Sequence, residues 1–544
     1  MKNAVALVRL ALLLALLHGE AMGAELNLEK LLPTDRAPHE VIDHYINERL
    51  TAEGIVPASV TDDANLLRRT LLDLVGRIPT AVEVQAYTAD SRPEKRAELV
   101  DQLLESPAFV RHQANEFDAF LMEGTGRSIR DYLRRAFSER LAWDQIFRDL
   151  LVLGETPEAT RPELNYMKAR IRDLDKLTND VSVMFFGVNV SCAQCHDHPL
   201  VSEWTQSHFF GMKSFFSRTF ENGDYLAERD YGLVQFKTTA GEEKRAQLMF
   251  LSGAVVEEPE AVEPNDEAKK QEKQKLDELK NNKQPPPAPN FSRRATLARF
   301  TTQAPDNQYF SQAIVNRVWY QYFGYGLVSP LDQMHPENSP SHPELLAWLA
   351  RDLVDHQYDL RRLMRNIVLS EAYARSSSWD AGERPFPSLF AVANVRPMTP
   401  AQYATSLRLA SMNPDRFRKA APDQWNGLIE GIENQARGLA NYFEQPREGF
   451  QVSVTEALLL SNNDQVTREL LRDAEDSLIG KLKTLDDVTE VINTAVWNAW
   501  SRNPTPDELE LLREFYQSRQ GERVEACKQL VWVLLTASEL RFNY

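Results

Sequence analysis

Apolar residues recur at helical spacing along most of this chain. Leu66, Leu67, Leu71 and Leu74 form one stripe beginning after Thr61 and Asp62, with Gly76 and Pro79 as its stop. Before it, Leu26 to Leu50 reads as a short helical lead-in broken at Leu32-Pro33. After it, Thr80 can cap a helix starting at Ala81, and Leu99, Leu103 and Leu104 mark a third before Ser106-Pro107. Between Phe109 and Leu153 the stripe turns aromatic, with Phe117, Phe120, Tyr132, Phe137, Trp143 and Phe147, which is the signature of a core. Asp173 to Val190 then carries Val181, Val183, Met184, Phe185, Phe186, Val188 and Val190 into a short polar turn, Ser191 to Pro199.

The period changes at Tyr231. Leu233 to Thr239, the turn Ala240-Gly241-Glu242 and Gln247 to Leu251 predict a β-hairpin. Residues 256–290 are different again, Glu- and Lys-rich and then Pro285-Pro286-Pro287-Ala288-Pro289, which reads as a linker with a solvated helix and a stiff extended spacer. Helical patterns resume at Tyr309 to Tyr322, Pro343 to His356, Leu360 to Leu369 and Ala401 to Leu409, with Ser341 and Thr399 as caps. Val454 to Leu460, Asp486 to Trp500, Thr505 to Gln517 and Val524 to Leu535 complete the series. The expected fold is mainly α: two helical domains, 24–255 and 291–544, the first holding the polar turn and a small hairpin, joined through 256–290.

Composition narrows the partners. The 544 residues carry a net charge of −17, which argues against a nucleic-acid surface. Lys2 and Arg9, the apolar run Leu10 to Leu17 and Ala21-Met22-Gly23 have the order of a signal peptide over residues 1–23, cleaved after Gly23. No later run predicts a transmembrane segment in the mature chain. Export to the periplasm or beyond sets the redox context for the three cysteines. Cys527, inside an apolar helical pattern, reads as a free buried thiol.

Candidate chemistry starts at Cys192-Ala193-Gln194-Cys195-His196. CxxCH suits covalent haem c: thioethers from Cys192 and Cys195 and iron ligation by His196. Met212, His208 or Met184 could supply the sixth ligand, and spacing does not order them. Zinc is the alternative, held by Cys192, Cys195, His198 and His208, and a structural or redox dithiol turn is another. His342 reads as a histidine at a helix N-terminus. Asp332 with His335, and Ser370-Glu371, are conceivable acid/base pairs that no spacing demands. Among hydrolase signatures, no GxSxG elbow or HExxH occurs.

Several stretches together carry a family resemblance. Cys192 to Pro199 followed by Trp204-Thr205-Gln206, with Leu67 to Thr80, resembles the planctomycete cytochrome-like domain of unknown function, family 1549. Asn316-Arg317-Val318-Trp319, Phe323 to Val328, Ser341 to Leu346, Ile367 to Tyr373, Ser501 to Thr505 and Glu539 to Tyr544 are similar to its C-terminal companion, family 1553. The resemblance implies an exported protein of unknown biochemical function, with haem binding inferred from the pentapeptide. Two functions are therefore expected: electron transfer by a haem c protein within a larger redox assembly of exported proteins, or a non-enzymatic scaffold whose cysteine turn is a dithiol or holds zinc.

Overall fold

A computed structural model describes residues 31–152, 161–199, 201, 203–260, 262–303, 308–446, 454, 456, 459, 466–519 and 521–544. The expected signal peptide and most of the helix expected over Val454 to Leu460 lie outside them.

The fold is mainly α, and its helices begin and end where local chemistry dictates. Asp62 caps Asp63–Val75 by accepting from the amides of Ala64 and Asn65, both at 3.0 Å. Gly76 ends that helix at φ 74°, a left-handed turn, with the ring of His112 packed where a Cβ would lie. Thr80 and Glu83 form a reciprocal capping box for Ala81–Ala89, and Thr399 with Gln402 does the same for Pro400–Ala410. Ser341 is not the cap it was expected to be: His342 holds the N-cap position of Pro343–Asp355 without a side-chain cap bond, and Pro343 stands at the helix start.

The first part of the chain runs through Pro38–Ala52, Lys95–Glu105, Pro107–Leu121, Arg130–Ser138, Trp143–Leu151 and Leu174–Phe186. The expected first strand forms as Gln235–Lys237, but its antiparallel partner is Glu243–Arg245, with Phe236 opposite Lys244, and not the expected Gln247 to Leu251, where only Met249 makes a bridge, to Val255. A second hairpin, Thr219–Asn222 with Tyr225–Glu228, turns at Gly223-Asp224, with Gly223 at φ 64°. Helix Asp266–Asn281 buries none of its residues, yet it lies along that hairpin: Asn222 Nδ2 donates to the Leu276 carbonyl at 3.0 Å and Tyr225 to the Lys283 carbonyl at 2.8 Å. Among the described residues, no helix is long and apolar enough to cross a membrane.

Buried apolar residues form two clusters. The larger runs from Val41 to Val392 and includes the aromatic group Trp143, Phe147, Phe185 and Phe310, whose neighbouring rings lie 4.6 to 6.3 Å apart. The smaller draws on Pro400–Ala410, Trp425–Ala440, Val488–Trp500, Pro506–Gln517 and Arg523–Thr536, together with Leu72 and Ile78. Helix Asp63–Val75 therefore serves both, and every residue from Leu66 to Val75 is buried, Arg68, Arg69 and Asp73 included. Its polar face meets protein on all sides. Cys527 is a buried free thiol with its sulfur 3.6 Å from the Tyr516 hydroxyl.

Candidate functional site

The turn is held from behind by the end of helix Leu174–Phe186. Gly187 closes that helix at φ 68°, and a side chain there would meet the Met334 sulfur as well as a left-handed backbone. Asn179 Oδ1 accepts from the Val190 amide at 3.1 Å, and Asn189 Oδ1 accepts from the Ser191 amide at 3.2 Å and its hydroxyl at 2.6 Å. The chain then makes a single 3-10 turn, Ser191–Gln194, in which Ala193 alone is buried. Helix Gln206–Ser214 closes the other side: its first amide donates to Asp197 Oδ1 at 3.1 Å, and Gln206 Nε2 donates to the Gln194 carbonyl at 3.3 Å. Gln206 Oε1 also accepts from Thr239 in the hairpin loop at 3.1 Å. Val188 and Val190 just before the turn and Phe209, Phe215 and Phe216 after it are all buried.

Cys192 and Cys195 are free, exposed thiols. Cys192 lies within the 3-10 turn and Cys195 at its C-cap, so the two thiols belong to one short segment. His196 is exposed, and its Nδ1 lies 2.7 Å from the Asp197 carbonyl. A carbonyl only accepts, so Nδ1 carries the proton and Nε2 keeps its lone pair. His198 is turned the other way: it is 7% exposed, its Nδ1 accepts from the Val201 amide at 3.2 Å, and its ring meets Trp204 edge-on at 5.4 Å. His208 Nδ1 accepts from the Thr205 amide at 3.2 Å, so that imidazole is spent on the start of its own helix. Burial lowers the pKa of both His198 and His208, with His335 and His196 adding to the effect at His198, which favours neutral rings.

The other candidates are placed as follows. Met212 is completely buried on helix Gln206–Ser214. Met184 directs its sulfur toward Tyr166 and Arg170, with the Tyr166 hydroxyl at 3.6 Å and Arg170 Nη2 at 3.8 Å. Cys192, Cys195, His198 and His208 do not converge: among the described residues, no three His, Cys, Asp or Glu side chains gather as a metal site would require. The ring proton that Nδ1 acceptance leaves on Nε2 of a neutral His208 would also have to be lost before that nitrogen bound zinc.

Sequence reasoning missed how the second half of the chain enters the site. The Gln333 backbone bridges antiparallel to Val188, the Asn189 amide donates to the Asp332 carbonyl at 2.8 Å, and the Met334 amide donates to the Gly187 carbonyl at 2.9 Å. Asn189 Nδ2 adds a bond to Asp332 Oδ2 at 3.1 Å. This short ladder sets the His335 ring 5.9 Å from Trp204, edge-on, and 6.3 Å from His198. Asp332 thus serves as an anchor for the turn and not as the acid/base partner of His335. A pairing across 145 positions leaves no periodic trace; the nearest local signal is Met334-His335-Pro336, an apolar residue and an imidazole fixed ahead of a proline.

Replacing Gly187 with alanine tests how tightly this ladder holds the turn. The left-handed backbone alone costs about 1–2 kcal/mol for an L-residue, and Met334 must move as well. Thermal unfolding should shift down, and Cys192 and Cys195 should react faster with a thiol reagent. Unchanged thiol kinetics would show that the ladder does not restrain the turn.

Residues 41–221 match the family model described as PSCyt2, a protein of unknown function (DUF1549). Residues 293–426 match the model described as PSD1, a protein of unknown function (DUF1553). The cysteine turn lies in the first match and His335 in the second. No curated protein and no solved structure matches the chain.

Proposed function

We propose that this chain, which joins a DUF1549 region to a DUF1553 region, is an exported haem c protein that transfers electrons within a larger redox assembly. The observation that carries the reading is the state of His196: its Nδ1 is bonded to the Asp197 carbonyl and its ring is exposed, as an imidazole that ligates iron through Nε2 requires. Cys192 and Cys195 stand exposed one 3-10 turn apart on the same segment, available for two thioether bonds. The donor set therefore fits haem c, with Cys192 and Cys195 as attachment points and His196 as proximal ligand. Such a group supplies one-electron redox chemistry when bound. The protein contributes a turn held by side-chain hydrogen bonds on both sides and an exposed outer edge accessible to a redox partner. The charged N-terminus followed by Leu10 to Leu17 supports export, the compartment where haem c is attached.

The free, exposed condition of both thiols also suits a second reading, a non-enzymatic scaffold for exported proteins in which the turn is a dithiol or holds zinc. One experiment separates them. The chain, co-expressed with a haem-attachment system, is expected to gain a covalent haem, read by intact mass and a pyridine haemochrome spectrum. Cys192→Ser with Cys195→Ser should abolish it. Purified protein containing zinc or no metal, with no c-type absorption bands, would overturn the haem reading in favour of the scaffold.

A further inference from the structure

We infer that a pocket where helix Val488–Trp500 meets the first part of the chain binds a neutral sugar ring. No residue of the cysteine turn borders that pocket, so sugar binding stands apart from the haem reading.

One face of the helix is unlike its others. Val491, Ile492, Ala495 and Val496 are buried in the smaller core, while Glu490, Asn493, Thr494 and Trp497, at positions i, i+3, i+4 and i+7, line a cavity of about 370 Å3. The remaining walls come from helix Ala81–Ala89, from Asp415, Arg418 and Lys481, and from Asn503 just beyond the helix end. A polar stripe ordinarily marks a convex face turned to water. Here it is the floor of a concavity, and its size falls in the range of about 300–1,000 Å3 typical of small-molecule sites. The floor lies beyond residue 426, outside both family matches.

The lining selects the ligand chemistry. Trp497 is half-buried: its ring packs against the larger core and its Nε1 lies 3.5 Å from the Ala81 carbonyl, so the indole is held while part of it stays open. A held indole offers a flat apolar platform for the C–H face of a ring. Around it, the side chains of Glu490, Asn493, Thr494 and Asn503 form no hydrogen bond or ion pair among the described residues. Two amides, each both donor and acceptor, with a hydroxyl and a carboxylate, match vicinal hydroxyls, which donate and accept at neighbouring atoms. The charges cancel. Lys481 reaches Asp415 at 2.9 Å and Arg418 lies 3.5 Å from the same carboxylate, so neither cation is free for a phosphate or carboxylate ligand. The larger cleft beside Pro38–Ala52, about 1010 Å3, lacks this character: Arg365 is committed to Asp101, Arg362 to Asp352 and Arg361 to the Leu104 and Phe137 carbonyls, and no Trp, Tyr or Phe lines it.

Saturation-transfer difference NMR on the full chain provides the test, with glucose, galactose, mannose and N-acetylglucosamine as probes and Kd read by titration. At least one is expected to receive saturation on its ring protons. Trp497→Ala should weaken that sugar about tenfold or more, and Asn493→Ala and Asn503→Ala about threefold to tenfold each, the worth of a stacked ring and of single hydrogen bonds. A sugar that also binds as its methyl glycoside identifies the end of a glycan chain, and one that binds only unsubstituted identifies a free monosaccharide. Should Trp497→Ala lose its native circular dichroism, the two asparagine variants decide, since neither side chain bonds anything among the described residues. Transfer to none of the sugars overturns the inference, as does binding that the variants leave unchanged. Saturation of adenosine with every sugar silent would give the platform to a flat aromatic ligand and overturns it too.

Discussion

Replacing Asp73 with alanine is expected to cost the fold about 3–5 kcal/mol, the penalty for leaving a buried partner charge uncompensated. Asp73 is 3% exposed and accepts three side-chain bonds: Tyr373 hydroxyl at 2.7 Å, Arg396 Nη2 at 2.8 Å and Asn543 Nδ2 at 2.9 Å. These donors come from positions 300, 323 and 470 residues away, so one carboxylate ties helix Asp63–Val75 to three distant parts of the chain. Neighbouring bonds reinforce the knot: Arg69 Nη1 donates to the Tyr373 and Arg375 carbonyls, and Gln402 Nε2 donates to the Leu72 carbonyl at 2.9 Å. Alanine would strand the Arg396 guanidinium without its only carboxylate among the described residues. Asp73→Asn should lose less, because it keeps the shape and its new amide can meet Asn543 Oδ1, which lacks a hydrogen-bond partner. Urea unfolding followed by far-UV circular dichroism is expected to order the midpoints wild type, Asp73→Asn, Asp73→Ala. Equal midpoints for all three would mean that the knot contributes no stability.

The same helix shows where sequence reading reaches its end. Its boundaries were legible because they are local: Asp62 is a cap, Gly76 a stop and the leucines a stripe. The burial of its polar face was not, because an amphipathic pattern predicts a side facing water and cannot register that a distant segment covers it with matched donors. The first strand and turn around Ala240-Gly241 were visible through their alternation, whereas the return strand is the wholly exposed Glu243–Arg245, which carries no apolar alternation to mark it. The neighbouring hairpin carried its signal in the two turn residues Gly223-Asp224, between strands of only four residues each. At the turn, CxxCH located the thiols and His196 from five residues. The tautomers that distinguish His196 from His198 and His208 arise from backbone groups one to three positions away, in a fold no pentapeptide encodes. His335 arrives through pairing with residues 187–189, and only the tertiary structure could bring it there.

The second large effect is in the pH dependence of stability, where Glu116 and two histidines act in opposition. Burial pushes Glu116 up to about 7 from an ordinary 4.5, against a lowering bond from the Thr399 hydroxyl at 3.0 Å. Between pH 4.5 and 7 the folded chain therefore holds a proton that the unfolded chain releases. The stability from this group is complete below pH 4.5 and is lost as pH rises through 7, at up to about 1.4 kcal/mol per unit. Burial also pulls His112 and His342 down to about 4 from 6.5, so the unfolded chain binds protons there that the folded chain refuses. Their contribution is present above pH 6.5 and is lost as pH falls through 4. From pH 4.5 to 6.5 the wild type should gain stability, the protons refused by His112 and His342 outweighing the one carboxyl proton and the lowered His198, His208 and His335 adding in the same direction. Glu116→Gln removes the opposing proton while keeping an acceptor for Thr399. Its stability should climb more steeply than the wild type's up to pH 6.5. Denaturant midpoints measured from pH 4.5 to 8 would decide it, and parallel curves for the two proteins would show that Glu116 titrates normally in the fold. Because Thr399 opens the first helix of the smaller core and Glu116 belongs to a helix of the larger, a shift confined to the variant would also locate the proton at the seam between them.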